Sequence, residues 1–426
     1  MDAFEKVVGY EQIKTELLQI ADIIKNREKY EKLGARMPKG VLIFGEPGLG
    51  KTLLAEELIR ECGVYNRTVR RSSEDMDFIS EMHKAFRDAK ANVPSVILLD
   101  DMDKYANEDK DHADAKEYIA VQACIDNVKD EDVFIIATVN DIHKLPKSLR
   151  RAGRFDRKIR VEPPEGEDAL KIIKHYLSAK AVDRDINVED IVKMSSSSSC
   201  ADLEMVLNEA AIFAAYEGCS SIGIEHITEA VLRMQYHTPK NENITSGDEL
   251  EHAALHEAGH IVMAEAIREG SVGLASVRAV SKADAGGFVH MCEKVERRPH
   301  AILISLAGKA AVEMYHAGRC AGGCASDLEK ASNLIRSGMT ENATLGFAML
   351  DKEHQYFSET HLARCDAAVT VELERYMRIA RQNLLDNREF LEKVRDALME
   401  KETLLHSDVK FIRKGCIVKN VVVSFK

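Results

Sequence analysis

Three apolar runs and one weaker run mark the first part of the chain: VLIF (41–44), VILLD (96–100), VFIIAT (133–138) and KIRV (158–161). Runs apolar throughout, rather than alternating, suit strands buried on both faces of a parallel sheet. The helical lengths between them supply the crossovers. After PPEGED (163–168) the pattern becomes helical, with DALKIIKHYLSAK, CADLEMVLNEAAIFAAYEG and GIEHITEAVLRMQ each carrying apolar positions at helical spacing. The serine run Ser195–Ser199 reads as a loop that ends in the N-cap of the second of these. The polar stretch HTPKNENITSGDE (237–249) reads as a linker. Helical patterning then resumes to about residue 406, broken near 271–296 by a β-branched, glycine-containing segment that predicts a small strand region. Four segments follow: an α/β part at 1–163, a helical part at 164–238, a linker at 239–248 and a mainly helical part at 249–426.

Composition adds bounds. A chain of 426 residues with 45% apolar and 31% charged positions predicts a soluble protein of two or three domains. The net charge of −12 argues against nucleic acid as a partner. Nine cysteines, with Cys320 and Cys324 the closest pair, predict reduced thiols and a cytoplasmic setting. No apolar run approaches the roughly 20 residues that cross a bilayer, so no membrane segment is expected in this chain.

The chemistry begins directly after VLIF. GEPGLGKT comprises Gly45, Glu46, Pro47, Gly48, Leu49, Gly50, Lys51 and Thr52 and fits the phosphate-loop spacing. Its glycines allow backbone N–H groups to wrap phosphates at a helix N-terminus, Lys51 reaches the β and γ phosphates, and the Thr52 hydroxyl holds Mg2+. The ligand expected is therefore ATP with Mg2+. VILLDD supplies the acidic partner: Asp100 holds the metal through water, and Asp101 is placed to activate the attacking water. Asn140, ending the third strand, is placed to orient that water. Arg151 and Arg154 in RRAGRFDRK are placed to reach a neighbouring subunit's γ-phosphate.

A second chemistry lies in HAALHEAGH. One helix face presents His256 and His260, four residues apart, to a single metal, and Glu257 beside them would serve as general base toward its water. Zinc is the metal such a set favours. The small Ala258 and Gly259 leave room for close packing. A catalytic zinc needs a third protein ligand, and His252 or Asp327 could supply it.

Together these motifs resemble the FtsH-type, ATP-dependent AAA+ zinc metalloproteases. KLGARMPKGVLIFGEPGLGKTLLA, LRRAGRFDR, ADLEMVLNEAAIFAA, HEAGH, ASDLEKA and LLDNREFLEKVRDALMEKETL stand in that family's order. The resemblance implies an α/β AAA+ module with a helical lid, followed by a mainly helical zinc metalloprotease domain. It assigns His256, His260 and Asp327 as zinc ligands and Glu257 as base, and drops His252. It implies a homo-hexameric ring that threads protein substrates to the peptidase, with Zn2+, ATP and Mg2+ as cofactors. Two other functions share these motifs: an ATP-binding scaffold or remodelling ring, and a zinc peptidase that uses nucleotide only to assemble.

Several features depart from the family. Its membrane anchor precedes the ATPase module, which here starts within ten residues of Met1, so the expectation is either a soluble member or one whose N-terminal membrane anchor has been trimmed. Its pore loop is aromatic–hydrophobic–glycine, but no glycine lies between Gly63 and Gly153, and Phe78–Ile79 is the nearest replacement. Its second Walker B acid is glutamate, where this chain has Asp101. The basic, β-branched tail at 414–426 could add a strand or remain unstructured.

Overall fold

The computed structural model describes residues 4–71, 78–106, 115–151, 153–238, 247–278, 287–316, 324–342, 359–421 and 423. Most of the expected linker, and Cys320, lie outside the described residues. The chain forms two compact units: residues 1–180 with 197–207, and residues 181–196 with 208–426.

Among its described residues the first unit holds five parallel strands: β1 (Gly40–Phe44), β2 (Tyr65–Val69), β3 (Ser95–Leu99), β4 (Val133–Val139) and β5 (Arg157–Arg160), in the order β2-β3-β4-β1-β5. The three central strands are almost wholly buried, which is why they read as unbroken apolar runs. Helices α1 (Glu11–Lys25), α2 (Arg27–Glu31), α3 (Lys51–Cys62), α4 (Phe78–Ala91), α5 (Ala115–Asn127) and α6 (Gly166–Ser178) complete this α/β unit. Strand β2 has no counterpart among the apolar runs. It lies at the sheet edge and exposes the middle of YNRTV, so no hydrophobic signal marks it.

The second unit contains α7 (Val188–Met194), and α8 (Cys200–Tyr216) is divided between the two units after Leu207. The serine run ends as expected: Ser199 Oγ accepts from the Asp202 N–H at 3.1 Å, while the Ser199 N–H donates to Asp202 Oδ2 at 3.2 Å. Then come α9 (Ile224–Gln235), α10 (Gly247–Ile267), β6 (Val272–Ser276), β7 (Phe288–Met291), α11 (Arg298–Tyr315), α12 (Cys324–Asn342), α13 (Glu359–Asp386), α14 (Arg388–Lys401), β8 (Thr403–Leu405) and α15 (His406–Lys414). The strand region expected near 271–296 is an antiparallel sheet, β7-β6-β8, whose third member comes from far along the chain. Helices α10, α11, α13 and α14 close one apolar core through residues such as Leu306, Ala380 and Val394.

The basic tail forms no strand among its described residues, and it is not loose. Val421 N–H donates to the Ala266 carbonyl, Lys419 N–H donates to Asn387 Oδ1, and Asn387 Nδ2 returns a bond to the Lys419 carbonyl. Its β-branched residues Val418, Val421 and Val423 pack on the core. The tail's apolar pattern is thus used for docking rather than sheet pairing.

Candidate phosphate loop and metal centre

The phosphate loop sits between β1 and α3. Gly48 and Gly50 take φ of 78° and 80°, a region costly for any residue with a Cβ. The first turn of α3 therefore starts directly at Lys51, with its free N–H groups toward the loop. Lys51 is buried, and its Nζ donates to the Glu46 carbonyl at 2.6 Å. Burial pulls its ammonium below the ordinary value, against the opposing pull of Asp101, Asp103 and Asp100.

Asp100 and Asp101 follow the end of β3. The fully buried Asp100 carboxylate accepts from the Thr52 hydroxyl at 2.9 Å and the Thr138 hydroxyl at 2.7 Å on Oδ1, and from Arg70 Nε at 2.7 Å on Oδ2. Burial raises its pKa, but the bonds from Thr138, Arg70 and Thr52 outweigh that and hold it below the usual range. Asp101 has φ of 50°, and its carboxylate pairs with Lys104 Nζ at 2.7 Å. Asn140 is half-buried just past β4.

The two arginines differ. Arg151 is exposed. Arg154 is held within its own chain by a two-point bridge to Asp126, at 2.9 and 2.7 Å, and a bond to the Ser148 carbonyl. Phe78 does not project for gripping: it is buried in the core of the first unit, its ring 4.9 Å from that of Tyr105. Its place on the apolar face of α4 decides this.

Sequence reading missed a neighbouring cavity. A space of about 330 Å3 beside Gly48 and Gly50 is walled by Val7, Tyr10, Leu49, Ile172, Tyr176 and Cys200. The Ala201 N–H donates to the Gly48 carbonyl at 3.1 Å, which ties the start of α8 to the phosphate loop. These residues lie in four separate segments without a shared motif.

In the second unit, α10 carries His256, Glu257 and His260, all buried, and Asp327 stands in the first turn of α12. His256 Nε2, His260 Nε2 and Asp327 Oδ2 form a near-equilateral triangle with edges of 3.0, 3.1 and 3.1 Å. Three donors about 2.05 Å from a tetrahedral zinc stand roughly 3.3 Å apart, so this set fits zinc. His260 Nδ1 contacts the Ile304 carbonyl at 2.7 Å, which as an Nδ1–H donor leaves Nε2 for a metal. His252 lies outside this triangle and packs against the His316 ring at 4.3 Å.

Burial pulls His256 below its ordinary pKa. His260 is also pulled down by burial, but the Asp327 bond and charge reverse the sign and leave it raised. Asp327 is held well below the carboxylate range by the two imidazoles, despite its own burial. Burial pushes Glu257 up to about 7.

Two glycines make the triangle possible. A Cβ on Gly308 of α11 would lie 2.5 Å from His260 Nε2 and 2.6 Å from His256 Cε1. A Cβ on Gly259 would lie 2.4 Å from the Ala307 carbonyl oxygen. Helix α11 therefore lies flush against the two imidazoles. The small-residue run in SLAGKAA was the signal available for this contact.

The model of the ATPase family associated with various cellular activities (AAA) matches residues 41–163, and that of peptidase family M41 matches residues 243–412. The ATP-dependent zinc metalloprotease FtsH of Leptotrichia buccalis is 31% identical over 97% of this chain and 57% of its own length. The proteins of the same name from Streptobacillus moniliformis and Alkalihalophilus pseudofirmus are 30% and 29% identical, over 98% and 96% of this chain and 65% of their own lengths. The chain belongs to the FtsH-type AAA+ zinc metalloproteases.

FtsH-type membership implies Zn2+, ATP and Mg2+ as cofactors, and the residues on both sites fit them. The chain spans about 57–65% of the length of these three FtsH relatives. Among the described residues, no helix is long and apolar enough to cross a membrane.

Proposed function

We propose that this chain is an ATP-dependent zinc endopeptidase that unfolds and cleaves loosely folded proteins as a homo-hexameric ring. The carrying observation is the triangle of the buried His256 and His260 with the half-buried Asp327, beside Glu257, in a chain that also places Lys51, Thr52 and Asp100 around a phosphate loop. The proposed domains are 1–163 for nucleotide, 164–238 as lid, 239–248 as linker and 249–426 as peptidase.

His256, His260 and Asp327 would hold zinc, which when bound supplies Lewis acidity toward a peptide carbonyl and water. Glu257 accepts the proton of the attacking water on a carboxylate oxygen and returns it to the leaving amine. Its raised affinity for a proton suits both steps near neutral pH. In the first unit, the 45–52 loop wraps the phosphates, Lys51 neutralises them, and Thr52 with Asp100 would hold Mg2+. Asp101 orients or deprotonates the attacking water, with Asn140 assisting. Arg151, exposed and unlike Arg154 not bridged to Asp126, is the better placed of the two to act on a neighbour's nucleotide.

One observation favours a second reading, in which nucleotide serves assembly alone. The short Asp101 carboxylate is bridged to Lys104 rather than left open. Degradation of an unfolded model protein separates the two, run with ATP, with a non-hydrolysable analogue and without nucleotide. Cleavage that needs hydrolysable ATP and vanishes in Glu257→Gln supports the threading protease. Equal cleavage with the analogue supports the second reading. No cleavage under any condition refutes both and leaves a scaffold.

A further inference from the structure

We propose that Arg70 is a latch on the Mg2+ side of the phosphate loop, holding Asp100 in the nucleotide-free chain and giving way when Mg2+·ATP binds. This rests on the nucleotide reading of the loop given above.

The placement comes from the sheet. Val69 pairs with Leu99 in the β2–β3 register, so Arg70 and Asp100 leave the sheet side by side. The Asp100 N–H donates to the Val69 carbonyl at 3.0 Å and fixes that register one residue further. Arg70 Nε donates to Asp100 Oδ2 at 2.7 Å, and Nη2 reaches the same oxygen. The other oxygen is already taken by the Thr52 and Thr138 hydroxyls. Both oxygens of this carboxylate are thereby committed.

Two consequences follow from the burial. The Asp100 side chain is 0% exposed and the Arg70 side chain 59% exposed. A buried carboxylate without a cation is costly, so Arg70 supplies the compensating charge while no metal is present. A metal approaching past Thr52 meets an Asp100 whose Oδ2 is engaged, and competes with the guanidinium for that charge. Because the Arg70 side chain stands mostly in water, its release costs only what a partly exposed ion pair is worth. Arg70 is a positioning residue in this scheme, acting on ATP through Asp100.

The test measures binding rather than turnover. A fluorescent ATP analogue is bound to the full chain at a series of free Mg2+ concentrations, for the wild type, Arg70→Ala, Arg70→Lys and Lys51→Ala. The Mg2+ concentration at half-effect should fall about fivefold in Arg70→Ala, the scale of one such ion pair. Arg70→Lys, which keeps the charge but loses the two-point grip, should fall between. A midpoint unchanged or raised in both variants overturns the latch. Thermal melting checks folding, and Arg70→Lys decides the matter if Arg70→Ala does not fold. The underlying nucleotide reading fails separately, if Lys51→Ala binds the analogue as tightly as the wild type.

Discussion

Gly308→Ala tests whether the close contact of α11 with the two imidazoles is what shapes the metal centre. The added Cβ would stand 2.5 Å from His260 Nε2 and 2.6 and 2.7 Å from His256 Cε1 and Nδ1. Ordinary carbon contacts are about 3.5–4.0 Å, so rings or helix must give by roughly 1 Å. Metal–ligand distances tolerate only about 0.2 Å, and the Ile304 carbonyl restrains His260 from turning away. Overpacking of this kind costs about 1–3 kcal/mol, and loss of ligand orientation about 10–100-fold in metal affinity. The assay is zinc affinity by chelator competition, with peptide cleavage and nucleotide binding measured alongside. Zinc affinity and cleavage should fall together while nucleotide binding stays level. A variant that binds zinc as tightly as the wild type would refute the packing argument, since the contact would then be soft.

Further expectations concern other parts of the chain. Phe78→Ala should destabilise the first unit by about 3–5 kcal/mol in chemical denaturation, because the ring is buried against Tyr105; a loss of processing with stability unchanged would return Phe78 to a gripping role. Asp101→Glu should raise ATP turnover by about tenfold or more, since a misplaced base loses on the order of a hundredfold per ångström; unchanged steady-state turnover would show that the shorter acid is not limiting. Glu229 is half-buried, which raises its pKa, but Arg278 and Arg233 at 2.6 Å each hold it below 4.5. A depressed pKa stabilises fully above the unfolded value and is lost as pH falls through the folded one. The melting temperature of Glu229→Gln should therefore lie below that of the wild type at pH 7, with the gap closing as pH drops below 4.5. A gap that is constant with pH would show that the carboxylate's charge is not what stabilises.

The sequence by itself determined whatever rests on local pattern. The central strands are legible because a strand covered on both faces must be apolar at every position. The phosphate loop and the His256–His260 pair are legible because their chemistry demands fixed spacings along one loop and one helix face. Tertiary structure decided what depends on residues distant in the chain. Asp327 reaches the imidazoles only because α12 packs on α11 and brings its first turn to them, and nothing local separates it from His252 as a third ligand. Strand β2 is polar because it is an edge, and β8 pairs with β6 from more than a hundred residues away, so neither carries its own signal. Gly308 looks in sequence like any small helix residue; its need arises where two helices meet on two rings. Arg70 reads as a surface charge until the β2–β3 register sets it against Asp100. Whether a side chain serves structure or chemistry is settled by the distances packing creates, and those are properties of the folded chain.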